Sequence, residues 1–189
     1  MTVRELVEKN RSIRIFKPTP APTRAQLESW VDVARISASG GNLQPLAYYL
    51  SADEATNDKV FATLRWAGYL TDWAGPTAGE RPTGYVVLLR DNDVTNNFIV
   101  DHGIASEIIR MAAFEEGFGS CLIGSVDRPK LREALGISNR YELLVVLALG
   151  APGERVVLET ASGGNIRYWR DGHGALHVPK RALRDILVN

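Results

Sequence analysis

The chain has a single cysteine, Cys121, in 189 residues. No internal disulfide can form, which excludes the framework of a small secreted domain and points to a cytoplasmic setting. Net charge is lacking too, because Lys plus Arg and Asp plus Glu number 22 each. No long-range field draws such a chain to nucleic acid or to an anionic membrane, so any anion site must be a local cluster. No apolar run approaches the roughly 20 residues of a membrane span. Residues 1–10 carry Arg4, Glu5, Glu8 and Lys9 where a secretion signal would be apolar. Neither secretion nor membrane insertion is expected.

Strong acid, base and nucleophile constellations are also missing. His173 and His177 share a spacing of four, but they sit in a glycine-rich turn without a third ligand, which argues against zinc. Cys121 lies in an apolar run and reads as a packed thiol rather than a nucleophile. Asp101-His102 has no Gly-x-Ser-x-Gly partner to make a hydrolase triad. A chain of this kind suits chemistry carried by a bound cofactor.

What is present is the composition of one compact domain over residues 1–189, with 45% hydrophobic and 23% charged residues. Thr2 with Glu5, Thr23 with Gln26 and Ser51 with Glu54 have capping-box spacing, and each opens an amphipathic helix. The first stops near Asn10, the second at Gly40 and Gly41, and the third near Leu64. The longest helix is predicted over residues 98–116, where Ala105, Ala112 and Ala113 would let another helix approach, and a further one spans residues 128–135. Strands are predicted over residues 48–50, 85–89 and 143–149, with a short glycine-flanked apolar run over 119–124. A hairpin is centred on Asp171-Gly172, and residues 180–187 are candidates for a last helix. The pattern neither alternates strictly nor segregates, which suits an α+β sheet covered by helices. Residues 73–84 are rich in breakers and read as a surface loop or lid, with Trp66, Tyr69 and Trp73 at a binding mouth or, equally, in the core.

Four clusters are candidates for binding. Arg11-Ser12-x-Arg14 follows a helix and could grip a phosphate, although cations there also offset the helix dipole. Ser39-Gly40-Gly41-Asn42-Leu43-Gln44-Pro45 offers donors and acceptors on an open backbone, suited to a flat heteroaromatic ring or to an ordinary helix cap. Gly117 to Gly124 contains Gly-x-Gly, but it leaves a helix and enters an apolar run, the reverse of a dinucleotide fingerprint. Pro179-Lys180-Arg181 is a second cationic pair, and in a neutral chain it could close with Arg11 and Arg14 on one phosphate.

Taken together, Arg11-Ser12-x-Arg14-x-Phe16, Ser39-x-x-Asn42-x-Gln44-Pro45, Asp101-x-Gly103-x-Ala105, Gly119-Ser120-Cys121-x-Ile123-Gly124 and Val178-Pro179-Lys180-Arg181 resemble the FMN-dependent nitroreductase family in order and spacing. The resemblance implies an α+β fold with a mixed, mainly antiparallel central sheet, in an intertwined homodimer with FMN bound across the interface. It implies that Arg11, Ser12, Arg14, Lys180 and Arg181 hold the phosphate and ribityl region. Ser39, Asn42 and Gln44 would address the flavin, partly from the partner chain, and Ile123 and Gly124 would lie near its N5 edge. Arg65 would approach its pyrimidine edge, and the helix from Asp101 would form much of the dimer seam. Asn10 stands where many members carry a basic residue. The activity implied is ping-pong hydride transfer from NADH or NADPH to a small electron-poor acceptor. A flavin carrier without turnover is the second reading, and a non-flavin metabolite-binding domain the third.

Overall fold

The computed structural model describes residues 1–97 and 99–188. Helix α1 (Val3–Lys9) and helix α2 (Arg24–Arg35) each begin on a reciprocal capping box, Thr2 with Glu5 and Thr23 with Gln26. Helix α2 stops at Arg35, short of the predicted glycines. The third predicted box does not form. Helix α3 (Glu54–Phe61) takes Asp53 as its cap, whose carboxylate accepts from Thr56 N at 2.9 Å. Ser51 is instead the last residue of strand β2 (Leu46–Ser51), paired with Tyr85, and its hydroxyl donates to Asn57 Oδ1 at 2.7 Å. A residue held in a sheet ladder is not free to cap.

Helix α4 (Asp101–Glu115) follows Val100, and the predicted start at Phe98 lies outside the described residues. Helix α5 (Arg128–Leu135) has the predicted bounds, with Asp127 as cap and Gly136 left-handed at its end (φ 64°). The predicted helix over 180–187 shrinks to a 3-10 turn at Leu183–Asp185.

Strands β1 (Phe16–Lys17), β3 (Gly84–Asp91), β4 (Gly119–Ile123) and β5 (Tyr141–Pro152) join β2 in one five-stranded sheet. Its order is β1-β5-β3-β2, β4 also pairs with β5, and every pairing is antiparallel. The parallel pairing lies elsewhere, in a three-stranded sheet of β6 (Val156–Thr160), β7 (Trp169–Arg170) and β8 (Leu176–Lys180). There β7 and β8 form the hairpin expected at Asp171-Gly172.

Both faces of the larger sheet are covered, which is why β3 and β5 are apolar without alternation. Tyr85, Val87, Val146 and Ala148 face Val60 of α3 and Leu131 of α5. Val86, Leu88, Leu147 and Leu149 face Leu27 and Trp30 of α2 and Ala105, Ile109 and Ala113 of α4. The small residues on α4 thus admit α2 of the same chain, while Ile104 on its outer side is left 39% exposed.

One close approach positions the N-terminal arginines. Ser12 bridges to Ser120, and Ile13 N donates to Ser120 O at 2.9 Å, so residues 11–14 run beside β4. A Cβ on Gly119 would sit 2.7 Å from Ile13 Cγ1, so this contact requires glycine.

Candidate functional site

The clusters at Arg11-Ser12-x-Arg14 and Lys180-Arg181, distant in sequence, line one cleft of about 640 Å³. Helix α4 adds Arg110, and Ile166, Tyr168, Val178, Pro179 and Ile186 complete the wall. Five basic side chains therefore meet around one cleft whose lining, among the described residues, holds no acid. Burial first, and the neighbouring Arg110 second, pull the Arg11 guanidinium below its usual pKa, with Glu107 acting the other way. Like charges held this close favour an anion that neutralises them.

Arg11 and Arg110 are held from behind by side-chain contacts, and Arg14 through its backbone. Arg11 Nε donates to Asn10 O at 2.9 Å, and Arg110 donates to Ser120 Oγ at 3.1 Å and pairs with Glu107 at 2.6 Å. Backbone N–H groups of Arg14 and Ile15 both donate to Glu154, whose other oxygen lies 2.6 Å from Arg170. Sequence reading missed Arg110, whose only local signal is its i,i+3 spacing from Glu107. Asn10 is buried with its amide toward Glu107 at 3.4 Å, the same carboxylate that pairs with Arg110.

Ile123 and Gly124 lie in an adjoining hollow with Arg14, Arg65, Trp66, Cys121 and Tyr168. Arg14 and Tyr168 belong to both cavities. Buried indole Nε1 of Trp66 has no hydrogen-bond partner among the described residues. Cys121 itself is buried, and burial pushes its thiol pKa up, so it is the packed residue expected rather than a thiolate.

Ser39 and Gln44 are not part of this group. They line a separate cavity with Tyr48, Asp101 and Ala105, and it shares no residue with the other two. The loop is built around Asp101, which accepts from Ser39 Oγ at 2.5 Å and Gly40 N at 3.3 Å, while Ser39 Oγ accepts from Gln44 N at 2.9 Å. Gly41, Asn42 and Gln44 all have positive φ, at 57°, 54° and 51°. For Gln44 that conformation is costly, and it is held by the Asp101 and Ser39 hydrogen bonds. Burial, followed by the Asp101 charge, pushes the Tyr48 phenol up to about 12.

The three loop aromatics divide. Trp66 packs against the core and on Phe61, with ring centroids 6.0 Å apart. Tyr69 is exposed and packs at a tilt against Tyr168, whereas Trp73 meets Arg170. Ala78, Gly79 and residues 81–83 border a different cleft, beside Pro18, Asn57 and Asp58, and no residue of the predicted lid, 73–84, lines the cationic cleft.

The nitroreductase family model matches residues 7–151. No curated protein matches the chain in sequence. Among solved structures, a nitroreductase family protein from Streptococcus pneumoniae TIGR4 is 14% identical, with both chains covered in full and a TM-score of 0.72. A Desulfovibrio desulfuricans protein solved in complex with FMN is 20% identical, with 100% of this chain and 96% of that one covered, and a TM-score of 0.72. An FMN-dependent nitroreductase from Clostridium difficile R20291 is 20% identical, with 79% and 87% covered and a TM-score of 0.63. At these identities the likeness establishes a shared fold, the α+β arrangement described above.

Proposed function

This chain belongs to the nitroreductase family, and from that premise we propose that it is an FMN-dependent oxidoreductase passing electrons from NADH or NADPH to a small electron-poor acceptor, such as a nitroaromatic or a quinone. The observation that carries the reading is the convergence of five basic side chains and, among the described residues, no acidic one on a single cleft of a chain without net charge. A dianionic phosphate fits that donor set.

Arg11, Ser12, Arg14, Lys180 and Arg181 take the phosphate, with Arg110 as an added cation. Ile123 and Gly124 border the ring, and Arg65 stands on the same hollow. Bound there, FMN supplies hydride-accepting and hydride-donating chemistry, which explains why the chain needs no catalytic acid or nucleophile of its own. The protein's part is to hold the group, orient it and leave one face open to a flat partner. Nicotinamide and acceptor then occupy that face in turn, a ping-pong order.

Ser39 and Gln44 lie on a cavity separate from the phosphate cleft of their own chain, with Asn42 between them in the same loop, so they reach a flavin only in a second copy. Exposed Val33, Ile36, Leu43, Val100 and Ile104 surround that loop and give a homodimer an apolar seam. The whole chain acts as one FMN-binding domain in the cytoplasm. Absorption spectra of the purified protein, before and after anaerobic NADH or NADPH, test the proposal. Flavin bands that bleach and return with a nitroaromatic or quinone support it. A colourless protein that takes up no FMN overturns it, and a flavin that stays oxidised leaves a carrier.

A further inference from the structure

The phosphate cleft and the hollow beside β4 are divided by one contact. The Arg14 guanidinium lies 4.5 Å from the centre of the Tyr168 ring, and these two side chains are the ones common to both cavities. Tyr168 also packs at a tilt against Tyr69, with centroids 5.0 Å apart and planes at 49°, and its hydroxyl accepts from Tyr69 N at 3.3 Å. The ring thus closes a span between the strap of residues 11–14 and the loop after α3.

A ligand with its phosphate among the arginines and its ring beside Ile123 and Gly124 must cross this divide. Tyr168 sits on a segment suited to yielding. Gly163 and Gly164 have φ of 57° and 76° with open space around both, and residues 162–167 are exposed. The segment is pinned at its two ends, by Ala161 N donating to Lys180 O at 2.7 Å and by β7 pairing with β8. Residues 162–168 can therefore swing while Lys180 keeps its place.

We propose that Tyr168 is a gate residue of the flavin site: its ring moves off Arg14 to admit the flavin, then closes over the bound group and sets the rate at which it enters and leaves. This rests on the FMN reading and adds to it the side chain that governs exchange. A gate acts on both rates together, whereas a mere wall contact acts on dissociation alone.

The test is stopped-flow flavin fluorescence with FMN and protein freed of flavin, comparing wild type, Tyr168→Phe and Tyr168→Ala, with far-UV circular dichroism as the folding check. The alanine variant is expected to raise association and dissociation rates by about tenfold or more each, a gain typical of removing a conformational barrier of that modest size. The phenylalanine variant, which keeps the ring, is expected to stay near wild type. Should the alanine variant misfold, Tyr69→Ala, which removes the ring's packing partner, is expected to raise both rates in its place. Association at the wild-type rate in the folded variants overturns the gate while leaving the flavin site intact. Wild-type protein that fails to bind FMN at all overturns the flavin reading, and the gate with it.

Discussion

Replacing Arg14 and Lys180 together with alanine should cost the protein its preference for FMN over riboflavin, which lacks the phosphate. Arg14 is half-buried and steadied by its contact with Tyr168, whereas Lys180 is exposed to solvent screening. A charge-assisted hydrogen bond from the first contributes about 1.5–3 kcal/mol, and an exposed ion contact from the second about 0.2–1 kcal/mol, for a combined loss of roughly 2–4 kcal/mol. At about 1.4 kcal/mol per tenfold, the FMN dissociation constant should rise by between about 30-fold and 1000-fold. The assay is fluorescence titration of flavin-free wild type and variant with each flavin, at low and at moderate salt. Riboflavin should be little affected, and the wild-type FMN affinity should fall with salt as a screened contact does. Equal weakening of both flavins would mean that the substitutions damage the cavity generally, and unchanged FMN affinity would remove these side chains from the phosphate site.

The histidine of the small sheet should give the stability a pH slope. His177 contacts Glu159 of β6 through one ring nitrogen and Asp171 through the other at 3.1 Å, and it stacks on Trp169 at 4.2 Å. Its pKa is raised by the bond to Glu159 and then by that to Asp171, so this contribution is complete below the unfolded value of 6.5 and is lost as pH rises through the folded one. Asp171 is held down to about 2 by His177 first, so its share is complete above the unfolded value of 3.8 and is lost as pH falls through about 2. His177→Gln should flatten the alkaline side of a plot of melting temperature against pH, and an unaltered slope would refute the assignment. Gly119→Ala should push Ile13, and with it Ser12 and Arg14, away from β4, whereas Gly79→Ala meets open space. The first variant should bind FMN more weakly than the second by titration, and equal affinities would show that Ile13 yields without moving the arginines.

Much of the fold was legible because its signals are local. Capping boxes at Thr2 and Thr23 and the bounds of α5 over residues 128–135 follow from hydrogen bonds between near neighbours, and the structure contains them. Ser51 misled because its competitor, the ladder with Tyr85, is a long-range pairing that spacing does not reveal. Strand β6 escaped for a related reason: its apolar run is only Val156 to Leu158, and its partner β8 lies twenty residues away along the chain (Val156 with Leu176).

The candidate site divides along the same line. Residue types that could hold a phosphate were readable in Arg11, Arg14, Lys180 and Arg181, but their convergence depends on β8 ending beside the strap that Gly119 lets close on β4. Arg110 and Tyr168 were not readable, because neither stands in a binding pattern and each acquires its place only from tertiary contacts with Ser120 and with Arg14. Since the chain has no net charge, its cations serve a local purpose only where their acidic partners are placed behind them. Glu107 pairs with Arg110 and Glu154 takes the backbone N–H groups at Arg14 and Ile15, and both carboxylates stay off the cleft wall. The acids fix the arginines in position without neutralising the face they present, and that placement turns a balanced composition into an anion site.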